Sequence, residues 1–152
     1  MNYSILLPLI VALVAGAVLP LQSAISSRLG ESLQNPMAST LMSFITGGIG
    51  MAIYALFMRM SFATMTTVWR TEPWYIWSGG LLGAVYVGST IWLIPRLGLA
   101  LTFAVVTAGQ MILSIAMDHY GFFGAEPKPA TLQSGLGVLL VIAGVVLILM
   151  KK

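Results

Sequence analysis

The sequence predicts an all-α membrane protein with five transmembrane helices per chain, paired as an antiparallel (inverted) ten-helix dimer. Three observations lead there. The first is composition: 59% of the 152 residues are hydrophobic, 7% are charged and mean hydropathy is +0.98, whereas a soluble domain carries about 25% charged residues. The second is segmentation. Apolar stretches near residues 3–28, 36–58, 73–94, 98–119 and 131–150 are separated by proline, glycine and charged residues, and each approaches the roughly 20 residues a span needs. Residues 1–152 therefore read as a single transmembrane domain. The third is charge placement. With the N-terminus inside, Arg59, Arg70 and Lys128 lie inside, and Arg28, Arg96, Lys151 and Lys152 lie outside, three against four. The N-terminal amine evens that count, so the positive-inside rule selects no orientation. Two copies inserted oppositely would form a two-fold unit, an arrangement common among transporters. The expected partner is a second copy, or a homologous chain facing the other way.

The same composition excludes several functions. There is no cysteine, so disulfides and thiolate metal sites are ruled out, and His119 is a lone histidine with few carboxylates to join it. No metal or other cofactor is expected. The basic residues are scattered singly and give no nucleic-acid surface. No nucleophile, base and orienting group fall together, so an enzyme is not expected. No Lys or Arg precedes the first apolar run, so that run is expected to be retained rather than cleaved as a signal peptide.

The first span is uncharged from Ile5 to Leu21, interrupted by Gly16 and Pro20, and then turns polar through Gln22, Ser23, Ser26, Ser27 and Arg28. Gln22 and Ser26 are one turn apart and share a face. Two readings stand: an interfacial helix end whose Arg28 snorkels to the headgroups, or a cavity lining, since a glutamine at this depth usually faces protein. Asn35-Pro36 opens the second span as N-cap and first helical residue. Its row Ser39, Ser43, Gly47, Gly50 and Tyr54 reads as a helix-packing face.

Phe62, Met65 and Trp69 of the next connection are expected at the membrane interface. Trp74, Tyr75 and Trp77 after Pro73 resemble an aromatic belt. Gly79, Gly83, Tyr86 and Thr90 form a second row on the third span, which Pro95-Arg96 is expected to end.

The fourth span carries the chemistry. Phe103, Thr107, Gln110, Ser114 and Asp118 recur at steps of three or four. They fall within roughly 80° of one helix face at about 100° per residue. A polar stripe on a bilayer helix must face protein or enclosed water. Asp118 ends the stripe near the helix C-terminus, where the dipole opposes a negative charge. It is either a solvated interfacial carboxylate or a proton- or cation-coupling group. The fifth span places Gly137 and Gly144 on a valine- and leucine-rich face suited to helix packing.

These residues together resemble a known family. The run AGQMILSIAMDHYGFFG, with Gly109-Gln110, Ser114, Asp118-His119 and Gly121, is similar to the signature helix of the YdcZ-type bacterial inner-membrane proteins, half-size members of the drug/metabolite transporter superfamily. Pro20-Leu21-Gln22 followed by Leu29-Gly30, the run from Gly79 to Gly83, and Gln133-Ser134-Gly135 with Gly144 match as well. The resemblance covers the whole chain. It implies a multi-pass protein of the bacterial inner (cytoplasmic) membrane that exports a small metabolite or drug-like solute. It also implies kinship with the small multidrug resistance exporters, which work as antiparallel dimers by alternating access. Those exporters carry a glutamate in mid-first-helix; this chain has none there, so their proton-for-cation exchange does not carry over to that helix.

The substrate-binding cavity is expected to involve Gln22, Ser26, Tyr86, Phe103, Thr107, Gln110 and Ser114, with Asp118 as the coupling candidate and no catalytic residue. A passive channel would need a longer continuous polar lining than one helix supplies. A non-transporting scaffold subunit would need no polar stripe.

Overall fold

The computed structural model describes residues 3–62 and 68–150. Five helices in it are long and apolar enough to cross a membrane. They are α1 (Tyr3–Ser32), α2 (Pro36–Phe57), α3 (Gly79–Leu97), α4 (Leu99–Tyr120) and α5 (Leu132–Met150). The chain divides into two compact units, Met1–Pro95 and Arg96–Lys152.

In the first unit α1 packs on α2, and α3 reaches both. Helix α1 runs through Pro8 and Pro20. Pro20 has no N–H, so the Gly16 carbonyl lacks its helical partner. Residues 5–18 of α1 are all exposed, whereas Ser23, Ser26, Ser27 and Gly30 beyond the proline are buried. The chain then reverses in three residues. Gln34 takes a left-handed φ of 51°, and the Asn35 N–H closes on the Gly30 carbonyl at 3.0 Å. Asn35 caps α2 as its sequence predicts, its side chain accepting from the Met37 and Ala38 N–H groups at 3.0 and 3.3 Å. Closest approach falls at Gly30, where a Cβ would stand 3.3 Å from Ile91 Cγ2 and 3.5 Å from Ser39 Cβ.

The interior is inverted relative to a soluble domain. Among the described residues the buried apolar side chains are Ala55, Ile91, Leu101 and Ala108, against seven buried serines and threonines. Helices surrounded by lipid gain nothing by hiding leucine, so small residues that admit close backbone approach take the contacts. The hydroxyls of the three threonines bond back to carbonyls three or four residues earlier in the chain. Thr40 donates to the Pro36 carbonyl at 2.9 Å, Thr90 to Val87 at 2.9 Å and Thr102 to Gly98 at 2.8 Å.

Helix α3 departs from expectation at both ends. It is preceded by a 3-10 turn, Trp74–Ser78, and it continues through Pro95 to Leu97. A proline in the last turn removes one hydrogen bond and keeps a helical φ. The break comes instead at Gly98, whose φ of 80° suits glycine. Trp69 stacks on Trp77 at 4.6 Å between centroids, and Phe62 and Trp69 are exposed; Met65 lies outside the described residues.

In the second unit α4 packs on α5. Gly121 ends α4 in the left-handed region, its N–H donating to the Met117 carbonyl. The loop folds back: the Lys128 N–H reaches the Asp118 carbonyl at 2.7 Å, and the Ala130 N–H reaches His119 Nδ1 at 3.0 Å. A Cβ on Gly121, at φ +62°, would meet the Ala125 carbonyl oxygen and Pro127 Cγ, both at 2.8 Å. Gly121→Ala is therefore expected to destabilise the unit by about 2 kcal/mol or more. Gly124→Ala, at φ +80° with open space around it, should cost about half as much. Thermal melts of the detergent-solubilised protein followed by circular dichroism check the ranking. Equal losses would show that the return of the loop onto Gly121 contributes nothing.

Candidate functional site

Gln22 and Ser26 come together on a crevice between α1 and α2. Its volume is about 540 Å³, and Val18, Leu21, Ile25 and Leu29 complete the α1 wall, with Met42, Ser43, Thr46 and Gly47 opposite. The volume is that of a small-ligand pocket. One end is shut by polar contacts: Ser39 donates its hydroxyl to the Ser26 carbonyl, and the Ser26 and Ser43 hydroxyls pair at 2.9 Å. The other end is open, because nothing lies within 4 Å of a Cβ built on Gly47 or Gly50. The packing row of α2 thus holds its neighbour through Ser39 and Ser43 and parts from it at Gly47. Gln22 is exposed on the crevice wall while Ser26 is buried at its closed end.

A second groove, about 720 Å³, runs between α2 and α3. It is lined chiefly by apolar groups, among them Met37, Leu41, Phe44, Val85 and Trp92, and Gly88 forms its floor against Thr40. Tyr86 is half-buried on the adjoining face of α3 and lines neither recess.

The five stripe residues share one face of α4. Phe103 is half-buried, and Thr107, Gln110, Ser114 and Asp118 are exposed. Helix α4 meets α5 through another face. Ile112 and Ile115 line an oily recess of about 390 Å³ with Leu132, Leu136 and Leu139. That face lies roughly 120° around the helix from the stripe. Gln110 has no side-chain hydrogen-bond partner among the described residues.

The sequence-predicted residues therefore form two sets, one in each unit. Ser43, Thr46 and Met42 were missed as lining. Ser43, Thr46 and Gly47 at steps of three and one were the available signal, and Ser43 reads equally well as packing.

Five helices fit to span a membrane, one of them bearing an exposed polar stripe, define a multi-pass membrane protein. The family described as "Putative inner membrane exporter, YdcZ" matches residues 7–147, and the chain belongs to it. The chain is 26% identical over 144 residues to the inner membrane protein YdcZ of Escherichia coli (strain K12), spanning 95% of this chain and 94% of that one. No solved structure matches. The protein is a multi-pass protein of the bacterial inner membrane, of an exporter family.

Proposed function

We propose that the chain is a secondary-active exporter of a small metabolite or drug-like solute, working as an antiparallel homodimer inserted in both orientations. The observation that carries this reading is the stripe: Thr107, Gln110, Ser114 and Asp118 are exposed on a helix apolar enough to span a bilayer. Against lipid the Gln110 carboxamide would be unsatisfied, at a cost of several kcal/mol. Against a second copy the stripe would line a common cavity. Gln22, Ser26, Tyr86 and Phe103 would contribute to the same solute path, and Asp118 would couple transport to a proton or cation. Alternating access would follow from the two-fold relation of the opposed copies. A homologous chain of opposite orientation would serve in place of the second copy.

The even distribution of Lys and Arg supports dual insertion, and topology tests it. C-terminal reporter fusions should find the tail on both sides of the membrane in comparable amounts. Two or three lysines added to one loop should drive the population to one side. A wild-type tail confined to one side would overturn the homodimer and point to a separate opposite-facing partner.

A further inference from the structure

The α1–α2 crevice has a chemistry more specific than polarity. None of its lining residues titrates. Helix α2 carries no charged residue from Pro36 to Phe57, and the charged residues of α1, Arg28 and Glu31, are not among the lining residues. The hydroxyls are largely engaged. Thr46 donates to the carbonyls of Met42 and Ser43 at 2.9 and 3.1 Å, Ser39 donates to Ser26, and Ser26 pairs with Ser43. What remains is the Gln22 carboxamide, exposed on the wall and without a hydrogen-bond partner among the described residues. It offers one acceptor and two donors in a plane. Around it stand the apolar side chains of Val18, Leu21, Ile25 and Met42.

We infer that this crevice selects neutral molecules with an amide-type edge, such as carboxamides, lactams or ureas, attached to an apolar body. Such an edge gives one N–H to the Gln22 oxygen and takes one N–H from its nitrogen, so both groups are satisfied by a planar pair. A carboxylate of the same shape can accept but not donate. An amidinium or ammonium can donate but not accept. Each also brings a net charge to a recess with no charged lining residue, a costly placement at membrane depth. This inference rests on the exporter reading and deepens it by naming the class of cargo.

The test uses benzamide, benzoate and benzamidinium, which share ring and planar shape and differ in charge. Binding to the purified full-length chain in detergent is measured by calorimetry at neutral pH. Wild type should bind benzamide about tenfold more tightly than either ion, the discrimination of one good hydrogen-bonded pair. Gln22→Leu should weaken benzamide by about tenfold. Gln22→Glu should reverse the order and favour benzamidinium, because a carboxylate pairs bidentately with an amidinium. Val18→Trp, which fills the crevice from an exposed position, should abolish binding of all three. The inference is overturned if wild type ranks the three probes alike or binds no benzamide, or if Gln22→Glu leaves the ranking unchanged. Binding with the expected ranking by a chain that moves no solute in proteoliposomes would overturn the exporter reading and leave the site standing.

Discussion

If the chain is the dimeric exporter proposed above, Gln110→Ala should cut solute flux in proteoliposomes at least about tenfold while leaving the fold and the dimer intact. Gln110 is exposed at mid-stripe and has no side-chain partner among the described residues, so its removal leaves no buried group orphaned within the chain. An interhelical hydrogen bond between copies contributes only about 0.6–2 kcal/mol, too little to hold or break a dimer alone. The loss of a solute contact, by contrast, falls on every transport cycle. Flux of benzamide, set beside cross-linking of the dimer in detergent, separates the two effects. A variant that dissociates and loses flux in parallel would make Gln110 a packing residue.

Asp118→Asn should abolish the response of transport to an imposed pH gradient and leave exchange without a gradient largely intact. Asp118 is the acid of the stripe, and it is exposed there. Glu31, Glu72 and Glu126 lie at or beyond the helix ends. His119 is committed elsewhere: its Nδ1 accepts the Ala130 N–H, one of two bonds among the described residues that tie the loop back to α4. Asparagine keeps the shape of the carboxylate and removes its proton chemistry. Flux is measured with and without the gradient. A variant driven by the gradient as wild type is would reduce Asp118 to an interfacial carboxylate.

Much of this was legible because membrane helices follow few rules. Asn35-Pro36 announced its cap, and the helical step alone placed Gln22 beside Ser26 and aligned Phe103 through Asp118. What escaped depended on a second element. Ser43 and Thr46 become a wall only because α2 diverges from α1 past Ser43, and no periodicity encodes divergence. Pro95 looked like a terminator; in a last turn it costs one hydrogen bond, and the conformation of Gly98 decides where the helix stops. Tyr86 shared a face with Gly79 and Gly83 in the sequence, yet the groove formed around Gly88, whose missing side chain lets Thr40 and Met37 approach. The stripe is legible as a face, but helical periodicity does not say what covers it.

The proline in α1 has a mechanical consequence. Among the described residues the hydrogen bonds that fix α1 to α2 at Ser26, and the close approach at Gly30, lie on one side of Pro20, and the other side is a bare arm of about 24 Å. Val18 stands on that arm and forms the lip of the crevice. A tilt of about 10° at the joint moves the arm's tip by about 4 Å and changes the lip without breaking any of those bonds. An arm this apolar responds in a bilayer to the hydrocarbon thickness around it. A joint at Pro20 would gear the opening of the crevice to the membrane, and lipids of different chain length should then set its resting width.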